Sequence, residues 1–192
     1  MKRIVVSLIL LISVSLIGCN KDKSIPSNAL AQGKEHALEA KKALGGQLLK
    51  ALGEGGTLYA LDYCNLEAST ITTNVSKNTG TQISRASDQY RNPKNAANKD
   101  ELAYILKTKG AIAEGNEPQP EIKRISDKLV AYYPIMTNGM CLQCHGTPGK
   151  ELLLATEEKI KTLYPNDMAV GYDVNQLRGI WVIQMNEEDL AN

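Results

Sequence analysis

The sequence has almost no excess charge of either sign: 22 lysines and arginines face 21 aspartates and glutamates, a formal net charge of +1. Such a balance, with no basic run, excludes the electrostatic footprint of a nucleic-acid binder. Long apolar runs are also missing. The one apolar stretch, Ile4 to Ile17, is shorter than the ~20 residues a membrane-spanning helix needs. There is no internal repeat, which removes the solenoid architectures. Histidine is scarce, at His36 and His145, and cysteine is limited to Cys19, Cys64, Cys141 and Cys144. No second paired-ligand motif accompanies the single Cys-x-x-Cys, so the usual structural zinc site lacks half of its donors.

What is present begins with a leader. Lys2 and Arg3 precede the apolar run, which ends in Leu16-Ile17-Gly18-Cys19, and this pattern reads as a secretory signal over residues 1–18. Its end resembles the lipobox of bacterial lipoproteins. The expected product therefore starts at a diacylated Cys19, exported and anchored by lipid to a bacterial membrane on the periplasmic or extracytoplasmic side. Loss of the leader removes Lys2 and Arg3 and leaves the chain close to neutral. Residues 19–33 are polar, contain Pro26 and read as a flexible tether. Residues 34–187 are long enough for one domain with a real core, and 188–192 read as a tail.

Outside the cytoplasm an unmatched thiol is a liability unless it is buried or bound. Lipid takes Cys19, and Cys141 and Cys144 share the segment Met140-Cys141-Leu142-Gln143-Cys144-His145-Gly146, which leaves Cys64 alone. Cys-x-x-Cys-His suits haem c for a geometric reason. Two thiols at that spacing can form thioethers with the two vinyl groups, while the adjacent histidine reaches the iron from the same side. A redox disulfide needs no histidine there, and zinc would have to recruit Cys64. The reading is one covalent haem c, with Cys141 and Cys144 as attachment points and His145 as the proximal ligand.

The periodicity predicts helices first and a sheet later. Ala37, Ala40, Leu44, Leu48, Ala51 and Leu52 recur at helical spacing from Lys34 to Leu52, and Gly53, Gly55 and Gly56 interrupt them. A second stripe through Leu61, Cys64, Ala68, Ile71 and Val75 follows, ending at residues 76–80, with Cys64 on its buried face. Residues 81–87 alternate weakly. Asn98 caps a short helix over 99–110, residues 121–126, 128–136 and 178–185 read as strands, and 156–164 as a helix. By pattern the fold is α+β.

These motifs, in order, carry a family resemblance: Tyr63-Cys64-Asn65 in a helix, then residues 91–95 ("RNPKN"), 132–136 ("YYPIM"), 141–146 ("CLQCHG"), 164–172 ("YPNDMAVGY") and 177–179 ("LRG"). Over residues 35–187 the chain resembles the domain of unknown function with a PAS-like fold and a single c-type haem. That domain is found alone in exported proteins and as the sensor part of membrane-bound signalling proteins. The resemblance implies long N-terminal helices on a small antiparallel sheet, with the iron held by His145 and Cys64. Before the Arg178-Gly179 turn, where the family often has glycine, this chain has Val174 and Asn175, and asparagine tolerates the left-handed conformation.

The residues themselves also argue for Cys64 as sixth ligand, since a leftover cysteine on an apolar helix face is otherwise an inert thiol. The competitors are His36, Met136, Met140, Met168 and Met185. His36 reads as a surface residue, Met136 and Met140 flank the attachment site, and Met168 and Met185 read as core fillers. Arg85, Arg91, Arg124, Tyr132 and Arg178 are the candidate partners of the haem propionates. A thiolate opposite a histidine fills the iron's coordination sphere and favours the ferric state. The expected function is therefore low-potential electron transfer with a separate redox partner. The alternative is a redox- or gas-responsive sensor domain acting through a separate signalling protein. Catalysis ranks last, because only His36 is spare as a distal acid or base.

Overall fold

The structure is a computed structural model and describes residues 24–190, the side chain of Asp189 excepted. The expected signal peptide, the lipidated Cys19 and the first residues of the tether lie outside the described residues, as do 191 and 192.

Glycine shapes the N-terminal part. Helix α1, Ala29–Thr79, is interrupted at Gly56, whose φ of 69° and ψ of −166° are not helical. The chain reverses there. Tyr63 Oη donates to Gln47 Oε1 at 3.2 Å, although residues so far apart in sequence would be about 24 Å apart on a straight helix. Ala37 and Ala40 pack in one cluster with Val75. The element is thus a hairpin of two arms, residues 29–55 and 57–79, as the interrupted periodicity predicts. The second arm stops at Gly80, left-handed at φ 66°, which suits glycine because it has no Cβ.

Four strands form one antiparallel sheet: β1 Gln82–Ala86, β2 Glu121–Ile125, β3 Lys128–Met136 and β4 Leu177–Asn186, in the order β1-β4-β3-β2. Alternate residues face opposite ways, and both faces are covered. Ile83, Leu129, Ala131, Tyr133, Trp181, Ile183 and Met185 face the α1 hairpin. Ala86, Val130, Tyr132, Ile180 and Val182 pack with Tyr104 and Ile105 of helix α2, Lys99–Ala113. Small residues let the first arm lie close on β3: a Cβ added to Gly33 would sit 2.5 Å from Tyr133 Oη, and that hydroxyl donates to Leu30 O at 2.7 Å. Helix α2 starts on the expected cap. Asn98 Oδ1 accepts from Asp100 N and Glu101 N, both at 3.0 Å, and Glu101 Oε2 accepts from Asn98 N at 2.8 Å. Two short helices complete the fold, α3 Leu142–His145 and α4 Leu154–Leu163. The result is the expected α+β, PAS-like arrangement of long N-terminal helices on a small sheet.

Three boundaries differ from expectation. The tether ends earlier than residue 33, because the buried Ala29 and Gly33 already belong to the first arm. The tail is not loose at its start: residues 187–190 form a 3-10 turn, Leu190 is only 5% exposed, and its carbonyl accepts from Asn28 Nδ2 at 3.1 Å. Arg178 and Gly179 lie in β4 and not in a turn. The turn precedes them, with Asn175 left-handed at φ 59° and Thr137 Oγ1 donating to Asp173 O at 2.6 Å.

Candidate haem site

The chain leaves β3 at Met136 and turns on Asn138, whose Oδ1 accepts from Met140 N at 3.0 Å and Cys141 N at 3.3 Å. One turn of helix follows, with His145 N donating to Cys141 O at 2.9 Å. A helical turn brings residues i, i+3 and i+4 to one face, so Cys141, Cys144 and His145 share a side. Leu142 is buried with Ala169 and Tyr172. Gly146 ends the turn under close approach, since a Cβ there would lie 2.6 Å from Leu142 O. Cys144 packs against Leu61, Leu152 and Ile160.

His145 is held by its neighbours in a ligating form. Its Nδ1 lies 2.7 Å from Ala169 O, and a carbonyl can only accept, so Nδ1 carries the proton and Nε2 is left for a metal. Burial, then Arg178 and Arg91, hold its pKa well below the usual histidine value, which keeps the ring neutral. Tyr172 meets the ring edge-on at 6.3 Å between centroids. Backbone bonds strap the segment to the loop after α4: Gly171 N to Gly146 O and Tyr172 N to His145 O, both 2.9 Å.

Cys64 sits on the second arm of α1, one turn beyond Leu61, which packs in the cluster that contains Cys144. Polar contacts fix that arm against the attachment segment and α4. Thr57 Oγ1 donates to Gln143 Oε1 at 3.1 Å, Asn65 Nδ2 to Leu163 O at 3.4 Å, and Lys159 pairs with Asp62 at 2.8 Å. Burial pushes the Cys64 thiol up, and the guanidinium groups of Arg85 and Arg91 work against it. Cys64, Cys141 and Cys144 are free thiols. Among the described residues no three His, Cys, Asp or Glu side chains gather around one point, so the donors do not form a tetrahedral zinc set.

Of the five candidate propionate partners, three converge here. Arg85 lies with its guanidinium carbon 5.8 Å from the centre of the Trp181 ring, and burial followed by repulsion from Arg178 lowers its pKa. Arg178 reaches the site through a slip in register. Ile135 pairs with Gly179 but Met136 with Leu177, which leaves Arg178 as the extra residue of a bulge. Its Nη1 donates to Ser87 Oγ and Gln89 O, both at 3.0 Å, while its Nε is buried without a partner. Arg91 is committed to protein groups of the site itself. Its Nε and Nη2 bind Asp167 at 3.1 and 3.3 Å, and Nη2 also donates to Cys144 O at 2.6 Å and Ala169 O at 3.2 Å.

The other two candidates are not brought to the site. Arg124 pairs with Glu187 at 3.1 Å and lies opposite Leu129, about 20 Å along β3 from its Ile135 end. Tyr132, 1% exposed, lies on the opposite sheet face under α2, its ring 5.2 Å from that of Tyr104. Three of the rival sixth ligands are placed as follows. Met185 is buried under α1, Met136 packs on the α2 side, and Met168 is 47% exposed. Sequence reasoning missed Asp167 and the Ala169 carbonyl. The "YPND" segment was their signal, and it does double duty: Tyr164 caps α4, its N–H donating to Ile160 O at 2.7 Å, while Asp167 holds Arg91.

The residues fit a covalent haem on chemical grounds. Two thiols and a neutral imidazole share a helical face, the imidazole nitrogen facing away from Ala169 is available, and the orphaned Nε of Arg178 beside Arg85 suits an anionic group. Fold and motif together define an α+β, PAS-like domain built around one Cys-x-x-Cys-His segment. The chain belongs to the Tll0287-like family, whose model matches residues 20–186. It is similar in fold to the solved structure of the cyanobacterial haem protein Tll0287. The two share 18% identity at a TM-score of 0.61, over 85% of this chain and 98% of that one. A search of curated proteins gives no match.

Proposed function

We propose that the chain is an exported, lipid-anchored c-type haem protein that transfers electrons at low potential. Cys141 and Cys144 would attach the haem, His145 and Cys64 would bind the iron, and Arg85 and Arg178 would meet the propionates. The observation that carries the reading is the setting of His145: within a one-turn helix bearing both thiols, a carbonyl 2.7 Å from Nδ1 reserves Nε2 for iron. The bound group would supply one-electron exchange at the iron. The protein's part would be to hold the iron with His145 and Cys64, which would leave no open site for a substrate, with Arg85 and Arg178 as the buried cations nearby. Similarity in fold to a cyanobacterial haem protein supports the haem-binding part of this reading.

Export and anchoring at Cys19 rest on the leader sequence, and the partner would be a redox protein at the same membrane. A sensing role is the second reading. It is favoured by one feature: Cys64 lies on the second arm of α1, beyond the break at Gly56, so release of the thiolate would uncouple that arm from the iron and inform a signalling partner.

The test is production in a host with cytochrome c maturation machinery, followed by acid-acetone extraction and intact mass. One haem that stays with the polypeptide is the expected result. Haem passing into the solvent would overturn covalent attachment, and protein with no haem at all would overturn the haem reading itself.

A further inference from the structure

We propose that Arg91 and Asp167 are positioning residues that set how strongly His145 donates to its metal, acting through the Ala169 carbonyl. The redox half of this inference rests on the haem reading above, and the hydrogen-bonding half rests on the geometry alone.

Arg91 and Asp167 are separated by 76 residues, and their side chains are 11% and 8% exposed. Taking a charged pair out of water is costly, and its attraction offsets that cost only with good geometry and further hydrogen bonds. Those further bonds all go to the histidine's surroundings. Arg91 Nη2 donates to Cys144 O, the carbonyl just before His145, and to Ala169 O, the carbonyl that receives the proton on Nδ1. Asp167 Oδ1 accepts from Ala169 N at 3.0 Å. Ala169 is therefore gripped at its N–H by Asp167 and at its C=O by Arg91.

Sharing that carbonyl has an electronic consequence. An oxygen that already accepts from a guanidinium is a weaker acceptor for His145, so the ring keeps more of its Nδ1 proton and is less electron-rich at Nε2. Asp167 opposes this by neutralising part of the Arg91 charge. The two residues thus act on His145 with opposite signs, although they belong to one ion pair. A merely structural clamp would behave differently, because loss of either partner would loosen the same loop and shift His145 in the same direction.

The test uses Arg91→Gln and Asp167→Asn in the full chain, with haem content measured on every sample. Two readouts apply: the reduction potential, and the proton resonance of His145 Hδ1 in diamagnetic protein. With two histidines in the chain, His36→Gln assigns the resonance. Arg91→Gln should move Hδ1 downfield and lower the potential, and Asp167→Asn should move Hδ1 upfield and raise it. Arg91→Lys keeps the charge on a single nitrogen but loses the guanidinium fork, and with it the Nε bond to Asp167. It should shift as Arg91→Gln does but less, and it covers the case in which the glutamine variant does not fold. Shifts of the same sign in the arginine and aspartate variants, or no shift, overturn the proposal. Wild-type protein without haem overturns the functional reading instead, and Hδ1 then decides the positioning role.

Discussion

Cys64 occupies a contradictory environment, and the contradiction bears on its role. Burial disfavours its thiolate, yet Arg85 and Arg91 favour it, as a site that must hold a metal-bound anion requires. On the haem reading, Cys64→Ala opens a coordination position, so the ferric spectrum should move toward a high-spin or water-ligated form. The reduction potential should also rise, since an electron-donating anion has been lost. An inert buried thiol would leave both unchanged and cost about 1 kcal/mol of stability for the trimmed side chain. Ferric spectra and potentials of the variant beside wild type decide between them, and an unchanged pair removes Cys64 from the iron. Residue by residue, the site was legible where covalent spacing carries the chemistry, at Cys141, Cys144 and His145. It was not legible at Arg91, whose fork binds groups 53 to 78 residues away; an arginine in sequence shows its charge but not its partner.

Elements were legible where local chemistry alone dictates them. The glycine cluster at residues 53–56 marks the reversal of α1, Asn98 with Glu101 marks the start of α2, and the continuous apolar and aromatic run of residues 129–136 marks β3. The start of α1 was hidden because Ala29 and Gly33 are buried for their smallness and carry little hydrophobic signal. Helix α3 was hidden because four residues are too few to show a period. The bulge at Arg178 was hidden because a one-residue slip in pairing leaves no trace in either strand alone. The reversal gives a paired prediction. At Gly56, φ of 69° with ψ of −166° is a conformation nearly exclusive to glycine, and a Cβ there would meet nothing within 4 Å. Gly56→Ala should therefore destabilise by about 1–3 kcal/mol through backbone strain and not through a clash. Gly46, in the helical first arm and also with open space around its Cβ, should respond in the opposite sense, with Gly46→Ala stabilising by about 0.4–1 kcal/mol. Urea unfolding measures both, and a Gly56→Ala protein as stable as wild type would remove the hinge from the account of α1.

At the scale of the whole molecule, the sheet is a wall with an apolar layer on each side. The attachment segment closes one end of it, beyond Met136, and Leu190 with Asn28 closes around the first arm. The overall class was legible because helical and strand periods occupy separate parts of the chain, whereas the choice of sheet face for Tyr132 and Tyr133 depends on register. Both layers are sealed by tyrosines. Tyr133 Oη donates to Leu30 O under α1, and Tyr104 Oη donates to Gln119 O at 2.7 Å beside α2. Burial, the largest cause in each case, pushes Tyr104 and Tyr132 up to about 12 and Tyr133 higher still, from an ordinary value of 10.0. The sign follows from which state ionises first. Below the unfolded value both states keep the phenol protons and tyrosine ionisation contributes nothing to the pH dependence. Above it the unfolded chain ionises while the folded one cannot, so stability falls as pH rises from 10 through about 12. Tyr133→Phe should separate this effect from other alkaline titrations. At neutral pH it loses one hydrogen bond, about 1 kcal/mol, and in the alkaline range its decline should be shallower than that of wild type because one ionising group is gone. Urea unfolding of both proteins at about pH 7 and about pH 11 tests it, and parallel declines would show that Tyr133 does not hold its proton in the folded layer.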